Sequence, residues 1–468
     1  MPAIDSIPGR LLARAQATPD APAIWHQPPD SGWQAISWGQ YAAQARAFAG
    51  ALLAMGYGKG WGVAILSDNC AEWIVADMGA MFAGAVPAGV YPTLTGEQAA
   101  YIIEHCDARV VVVQDPAQWA KVHALRDGLP LLERIVIIQG AEQVSDPGAV
   151  GFQAFLAEGA AHADAVQARL DGLTDEDLAT LIYTSGTTGL PKGVMLNHRN
   201  LAFTSKAAMD VIGGVGPDDC MISYLPLSHI AEQMFSLHLH VTGGYPLWMC
   251  DRLEKLKETL LTARPTFFLG VPRVWEKFKA ALEAKLGELT GAKGAIARWA
   301  LKVGHAAVPE LVAHGAPKGL LGVQYRLADK LFYSKLKAQL GLDRLNVASS
   351  GAAPIGRDVV TFFWAIGVPI HEVYGQSEDC GPTTFNQPFP GKRRLGTVGL
   401  PVPGVQVRLA EDGEILVKGD NVFVGYLKNP EATAEALQDG WLCSGDVGEF
   451  DGDGFLKITD RKKDLIIT

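Results

Sequence analysis

The chemistry-bearing run begins at Tyr183 and reads Tyr183-Thr184-Ser185-Gly186-Thr187-Thr188-Gly189-Leu190-Pro191-Lys192-Gly193. Three glycines let the backbone curl so that successive N–H groups point at one anion, four hydroxyls add donors, and Lys192 adds positive charge. That is a polyphosphate cradle, and it points to a nucleotide. It is not a Walker A loop: the G-x-x-x-x-G-K-[ST] spacing is missing, and Pro191-Lys192-Gly193 leads into the apolar run Val194–Leu196 instead of opening a helix. The loop is therefore expected to join two strands. A hydroxyl-rich surface turn is the plain alternative, and the lysine beside so many donors argues against it.

Other residues further along could serve the same ligand. Glu378, in Tyr374-Gly375-Gln376-Ser377-Glu378, is a carboxylate on a polar turn and could hold Mg²⁺ against phosphate oxygens. Asp446, in Gly440-Trp441-Leu442-Cys443-Ser444-Gly445-Asp446, is an acceptor-only group that suits the two ribose hydroxyls. Tyr374 offers an aromatic face for adenine, and Ser350-Gly351-Ala352-Ala353-Pro354 supplies small residues where a flat ring could lie against backbone. Each has an ordinary reading when taken alone, as has Arg461 further along the chain: Glu378 as solvated, Asp446 as a turn residue, Tyr374 as core, and Arg461 as a surface ion-pair partner.

Taken in order, with Gly413-Glu414-Ile415 through Gly425-Tyr426 and Asp460-Arg461-Lys462-Lys463-Asp464, these segments resemble the signatures of the adenylate-forming superfamily. That superfamily includes acyl-CoA synthetases, firefly luciferase and the adenylation domains of nonribosomal peptide synthetases, and the resemblance covers nearly the whole chain. It implies an ATP or AMP site made of Thr184, Ser185, Gly186, Thr187, Thr188, Gly189 and Lys192, of Gly351, Ala352 and Ala353, of Tyr374, Gly375, Gln376 and Ser377, and of Asp446 and Arg461. It makes Glu378 the metal ligand with Thr184 as a second, and gives Lys192, Glu378 and His229 the catalytic roles.

Two segments extend the resemblance to fatty-acid activation. Tyr224-Leu225-Pro226-Leu227-Ser228-His229 resembles the motif whose His lies beside the carboxylate and the acyl channel. Gly270-Val271-Pro272-Arg273-Val274-Trp275-Glu276 resembles the long-chain, "bubblegum"-type acyl-CoA synthetases, in which a Trp at the position of Trp275 gates the fatty-acid tunnel. The implied reaction uses ATP, Mg²⁺ and CoA: a long-chain fatty carboxylate forms acyl-AMP with release of pyrophosphate, and the CoA thiol then displaces AMP. A fatty acyl-AMP ligase that loads a carrier protein is one rival, and a catalytically silent nucleotide-binding module is another. Intact Lys192, Glu378, Asp446 and Arg461 argue against the silent module.

These residues must be positioned by an α/β scaffold. Helix-period segments such as Gly39–Met55 alternate with short apolar runs such as Gly62–Leu66 and Arg109–Val113, the βα rhythm of a layered sheet. The rhythm resumes at Leu178 with candidate strands Ala179–Tyr183, Phe267–Leu269, Leu345–Ser349 and Pro369–Glu372. Beyond about Gly391 short strands broken by Gly, Asp and Pro take over, among them Glu414–Lys418 and Val447–Phe450. The expected architecture is two layered α/β subdomains, 1–173 and 174–390, and a small distorted antiparallel β-barrel, 391–460, together the large N-terminal domain of an acyl-CoA synthetase-like fold. Residues 461–468 are then the hinge, with Lys463 at the pivot. The resemblance implies that a small C-terminal domain on the order of 100 residues follows in the family, so the CoA site of this chain is expected to be incomplete.

Composition narrows the partners. A formal net charge of −10 and a pI near 5.6 exclude a nucleic-acid binder that works through a basic surface. Six scattered cysteines with no C-x-x-C pair suggest free thiols in a cytoplasmic setting. The most membrane-like stretch, Ala71–Val90, carries Glu72, Asp77 and Pro87 and reads as a buried helix. Peripheral membrane contact stays open through the Lys-rich stretch Trp275–Gln339, although the acids Glu276, Glu283 and Glu288 favour solvated helix faces there. A homodimer is left open as well.

Overall fold

The computed structural model describes residues 4–28, 31–184 and 189–462. Ser185, Gly186, Thr187, Thr188 and Lys463, all expected to have functional roles, lie outside the described residues. The chain forms two compact units from interleaved segments. The first comprises the segment ending at Lys206 together with Ser223–Leu253 and Asp420–Leu437; the second comprises Ala207–Ile222, Glu254–Gly419 and the residues from Gln438 onward.

The first unit is organised by an eight-stranded sheet. In spatial order its strands are Gly425–Tyr426, Lys192–Asn197, Leu178–Thr184, Val86–Val90, Gly62–Leu66, Ala108–Val113, Arg134–Ile137 and Ala149–Gly151. The six from Leu178–Thr184 onward run parallel, and the first two are antiparallel additions at one edge. Gly62–Leu66 and Val86–Val90 are buried along their whole length, which is why they read as unbroken apolar runs instead of alternating ones. Side chains at every second position, such as Ala64 and Leu66, Val111 and Val113, and Ile135 and Ile137, share one core with Ile102 and Ile103 of the helix Gly96–His105.

The stretch Ala71–Val90 corrects an expectation. It is two elements, the helix Ala71–Phe82 and the buried strand Val86–Val90. Gly84, at φ +64°, adopts the left-handed conformation that ends the helix, and periodicity alone cannot separate a fully buried helix from a fully buried strand. Among the described residues no helix is long and apolar enough to cross a membrane.

The second unit holds a five-stranded sheet ordered Phe267–Leu269, Val347–Ser350, Ile370–Tyr374, Thr384–Phe385 and Leu400–Pro401. Its first three strands are parallel and its last two antiparallel. The helical region expected between Trp275 and Gln339 consists of Pro272–Gly287, Gly291–His314, Gly319–Ala328 and Ser334–Leu340, with a π-helical turn at Asp329–Tyr333. The C-terminal strands Gln406–Leu409, Glu414–Lys418, Trp441–Phe450 and Leu456–Arg461 form an antiparallel sheet, and the pairings among the described residues follow an open path. The short strand expected at Val447–Phe450 is the second half of the ten-residue strand Trp441–Phe450. Gly445, at φ +75°, interrupts its alternation and hides its first half from pattern reading.

One close approach within the first unit depends on glycine. A Cβ on Gly159 would stand 1.8 Å from the carbonyl oxygen of Ala47 and 2.3 Å from the amide nitrogen of Ala51, both backbone atoms of the helix Trp38–Ala54. Neither can yield without moving the helix. Gly159→Ala should therefore destabilise the protein by about 1–3 kcal/mol, read as a fall in the denaturation midpoint with an unchanged m-value, whereas Gly128→Ala, with open space around it, should change stability by less than about 0.5 kcal/mol.

Candidate functional site

In the first unit the glycine loop is suspended between two strands, as its sequence requires. Leu178–Thr184 leads into it and Lys192–Asn197 leads out, antiparallel, with Thr184 opposite Lys192. Tyr183, buried at the end of the incoming strand, hydrogen-bonds His105 Nδ1 through its hydroxyl at 2.9 Å. The hydroxyl of Tyr101 donates to the carbonyl of Pro191 at 3.2 Å. Lys192 Nζ lies 4.8 Å from the centre of the Tyr426 ring, a cation–π contact that restrains the lysine without neutralising it. Tyr426 comes from the short strand Gly425–Tyr426, which pairs with the outgoing strand at Val194. The sequence motif ending at Gly425-Tyr426 does not signal this contact, because nothing in the spacing shows which strand Tyr426 joins.

His229 caps the short helix Ile230–Gln233. Its Nδ1 accepts the Ala231 amide at 3.1 Å, so the ring proton sits on Nε2. Burial holds the ring below its ordinary pKa, in the neutral form. The loop before it is clamped on both sides. The Asn69 side chain accepts from the Leu227 amide at 3.1 Å and donates to the Leu225 carbonyl at 2.7 Å, while Glu232 accepts from the Leu225 amide at 3.2 Å. Glu232 is fully buried, also receives the Ser236 hydroxyl, and is pushed up to about 7 by desolvation. Asn69 lies more than 150 residues before the loop it holds, at a sequence separation of 158 from Leu227, and no sequence signal connects the two.

The second unit brings together three expected residues from distant positions. The Tyr374 hydroxyl donates to Asp446 Oδ2 at 2.9 Å, and Arg461 Nε lies 3.2 Å from Asp446 Oδ1. The antiparallel register places Asp446 opposite Arg461. Burial raises the pKa of Asp446 against the opposing effects of these two partners, and it raises that of Tyr374 as well. Beside them Glu414 accepts from the Gly445 amide at 2.9 Å and from Lys462 Nζ at 2.6 Å, fixing the turn that presents Asp446.

The shelf Gly351-Ala352-Ala353 follows the strand Val347–Ser350. A Cβ on Gly351 would stand 2.6 Å from Val373 Cγ1, so the shelf lies directly against the strand that ends in Tyr374. Ala352 adopts φ +67°, a left-handed conformation costing an alanine roughly 1–2 kcal/mol, and both Ala352 and Ala353 are exposed. The turn after Tyr374 is equally constrained: a Cβ on Gly375 would meet the Gly381 carbonyl oxygen at 1.5 Å. Glu378 stands half-buried in this turn, and Trp275 is wholly buried, its Nε1 donating to the Ser349 carbonyl at 3.2 Å. Glu378 and Thr184 belong to different compact units, and among the described residues no group of three or more His, Cys, Asp or Glu side chains forms a preassembled metal site.

The family model for the AMP-binding enzyme matches residues 11–427. The chain belongs to that family. Among its relatives, the long-chain-fatty-acid–CoA ligase ACSBG2 of Xenopus laevis is 37% identical over 452 residues, covering 93% of this chain and 60% of the relative. The long-chain-fatty-acid–CoA ligase heimdall of Drosophila melanogaster is 34% identical over 492 residues, covering 99% of this chain and 70% of the relative. This chain thus spans under two thirds of the Xenopus relative's length. The fold is shared with the N-terminal domain of FACL13 from Mycobacterium tuberculosis, at 20% identity and a TM-score of 0.69, covering 98% of this chain and 100% of that one.

A second acid stands beside Glu378 in the sequence, but only the structure shows that Asp379 is buried. Asp379 accepts from the Gln376 amide at 2.7 Å and the Thr383 hydroxyl at 2.6 Å, and desolvation raises it from 3.8 to about 8. A raised carboxyl pKa means the folded state holds a proton that the unfolded state releases. Its contribution is complete below about 4 and is lost as pH rises towards about 8. Asp379→Asn should flatten the decline of stability between those values, measured by urea unfolding at stepped pH; an unchanged slope would remove Asp379 as its source.

Proposed function

We propose that this chain carries the adenylating site of an AMP-forming long-chain fatty acid–CoA ligase. The observation that carries the reading is the Tyr374–Asp446–Arg461 chain, a buried carboxylate held between a phenol and a guanidinium. Each Asp446 oxygen has one partner and keeps acceptor capacity for a ribose hydroxyl, Tyr374 and the Gly351–Ala353 shelf suit the adenine, and Arg461 supplies positive charge on the same side. The names of the relatives support a long-chain fatty acid as the acid and CoA as the acceptor.

In this reading Lys192 and the hydroxyls from Thr184 to Thr188 hold the triphosphate while the fatty carboxylate attacks the α-phosphorus and pyrophosphate departs. Glu378, with Thr184 as a second ligand, would hold Mg²⁺, which offsets the phosphate charge when bound. A single carboxylate and a hydroxyl suit an ion whose other ligands are phosphate oxygens and water. His229, neutral and half-buried, orients the carboxylate through Nε2–H. Trp275 closes the acyl passage, and Lys463 serves as the hinge pivot. The CoA thiol then attacks the mixed anhydride and AMP leaves. A cytoplasmic setting next to a membrane suits a substrate that partitions into lipid.

Calorimetry on this chain should detect MgATP, with Asp446→Ala weakening it about 10- to 100-fold, the loss of one charge-assisted contact set. No adenine nucleotide binding at all would end the proposal. A pyrophosphate-release panel of fatty acids from 4 to 24 carbons, run on a protein extended to the relatives' length, should favour the long acids, and preference for a short or aromatic acid would overturn the substrate assignment.

A further inference from the structure

The helical region of the second unit leaves one face without a protein partner. On Gly319–Ala328 and the π turn Asp329–Tyr333, Leu320, Val323, Leu327 and Leu331 are 74%, 53%, 47% and 39% exposed. Their spacings of three, four and four put them on one side of the helix. The opposite side is packed: Gly322, Ala328, Tyr333 and Leu336 are buried, and the Tyr333 hydroxyl donates to the carbonyl of Ala300 in the helix Gly291–His314. The stripe is thus the outer surface of a firmly seated element.

The charges around it are mostly basic, with exceptions in Asp329 within the segment and Glu310, whose carboxylate accepts from the Lys318 amide at 2.6 Å. Lys318–Gln339 contains Lys318, Arg326, Lys330, Lys335 and Lys337 against the single acid Asp329, a net of +4 in a chain whose formal net charge is −10. Asp329 pairs with Lys337 at 3.4 Å, and Lys318, Arg326, Lys330 and Lys335 are exposed. The acids that favoured an ordinary solvated face, Glu276 and Glu283 in the helix Pro272–Gly287 and Glu288 at its C-cap, lie outside this segment.

We propose that this face, Leu320, Val323, Leu327 and Leu331 rimmed by Lys318, Arg326, Lys330 and Lys335, docks on an anionic lipid bilayer. Apolar side chains would enter the acyl boundary while the rim cations meet lipid phosphates and carboxylates. A strongly acidic chain is repelled by such a surface everywhere except at a basic patch, so the same feature sets its orientation. The inference does not depend on the adenylating chemistry.

Sedimentation of the whole chain with vesicles tests it, comparing phosphatidylcholine alone with a mixture containing phosphatidylserine. The chain should pellet with the anionic vesicles and release as salt rises. Leu320→Ser/Leu327→Ser/Leu331→Ser should lower the partition coefficient at least fivefold, and Arg326→Glu/Lys330→Glu should do the same. All five positions are exposed, so unfolding midpoints and MgATP binding should stay at the wild-type values; if the serine variant fails to fold, the charge-reversal variant decides. Failure of the unaltered chain to pellet, or equal partitioning of the variants, would overturn the proposal. So would a concentration-dependent dimer in ultracentrifugation that the serine variant abolishes without any vesicle binding, since the occupant would then be a second copy.

Discussion

The hydrogen-bonded ladder between Leu178–Thr184 and Lys192–Asn197 is the constraint on which the site in the first unit depends. A loop proposed to offer its own N–H groups to an anion cannot also spend them on internal pairing. Its placement has to come from the strands at either end. The incoming strand sits beside Val86–Val90 in a parallel sheet, and the outgoing strand gains a further partner in Gly425–Tyr426. The lysine is fixed at its root by this sheet and restrained at its tip by the Tyr426 ring, which leaves its charge available.

The second unit meets a different demand, that of keeping carboxylates in poorly hydrated surroundings. Burying an unpartnered carboxylate would drive it to take up a proton. Asp446 is offset by Tyr374 and Arg461, and Glu414 by Lys462 and the Gly445 amide. Asp379 accepts from the Gln376 amide and the Thr383 hydroxyl, and burial raises its affinity for a proton. Burial pushes both Asp379 and Asp446 towards protonation, but Asp446 has a guanidinium, that of Arg461, set against it, and this leaves Asp446 the better placed of the two to act as an acceptor.

Much of this was legible in the residues. Phe267–Leu269, Glu414–Lys418 and Gly62–Leu66 have the bounds their apolar runs suggest, because each is bracketed by turn residues. The meeting of Tyr374 with Asp446 and Arg461 followed from motif resemblance and not from spacing, which says nothing about register across 72 positions. The clamp from Asn69 onto Leu225 and Leu227, the Tyr426 contact with Lys192 and the left-handed Ala352 were invisible for a common reason. Each is set by tertiary geometry that local pattern does not encode. The split of Ala71–Val90 failed for the opposite reason: complete burial erases the alternation that would distinguish helix from strand.

The packing around Trp275 sets what the gating role proposed for it would cost. Its indole touches the rings of Phe268, Phe278 and Phe363 edge to face, at centroid distances of 5.6, 6.1 and 4.9 Å, and a Cβ on Gly270 would lie 2.4 Å from its Nε1. Swinging it out would break the hydrogen bond to Ser349, about 0.5–1.5 kcal/mol, and expose the ring, about 1.5–3 kcal/mol. The open rotamer would then be populated at roughly one part in thirty to one part in two thousand. In the gating role proposed for it, an indole held that firmly would open only for a ligand that binds the open state more tightly by a comparable factor. Ser349 is the natural point of influence, since it directly precedes the Ser350-Gly351-Ala352-Ala353 shelf proposed for adenine. A ring settling on that shelf would press on the strand whose carbonyl holds the indole, and nucleotide binding and acyl access would be coupled through a single hydrogen bond.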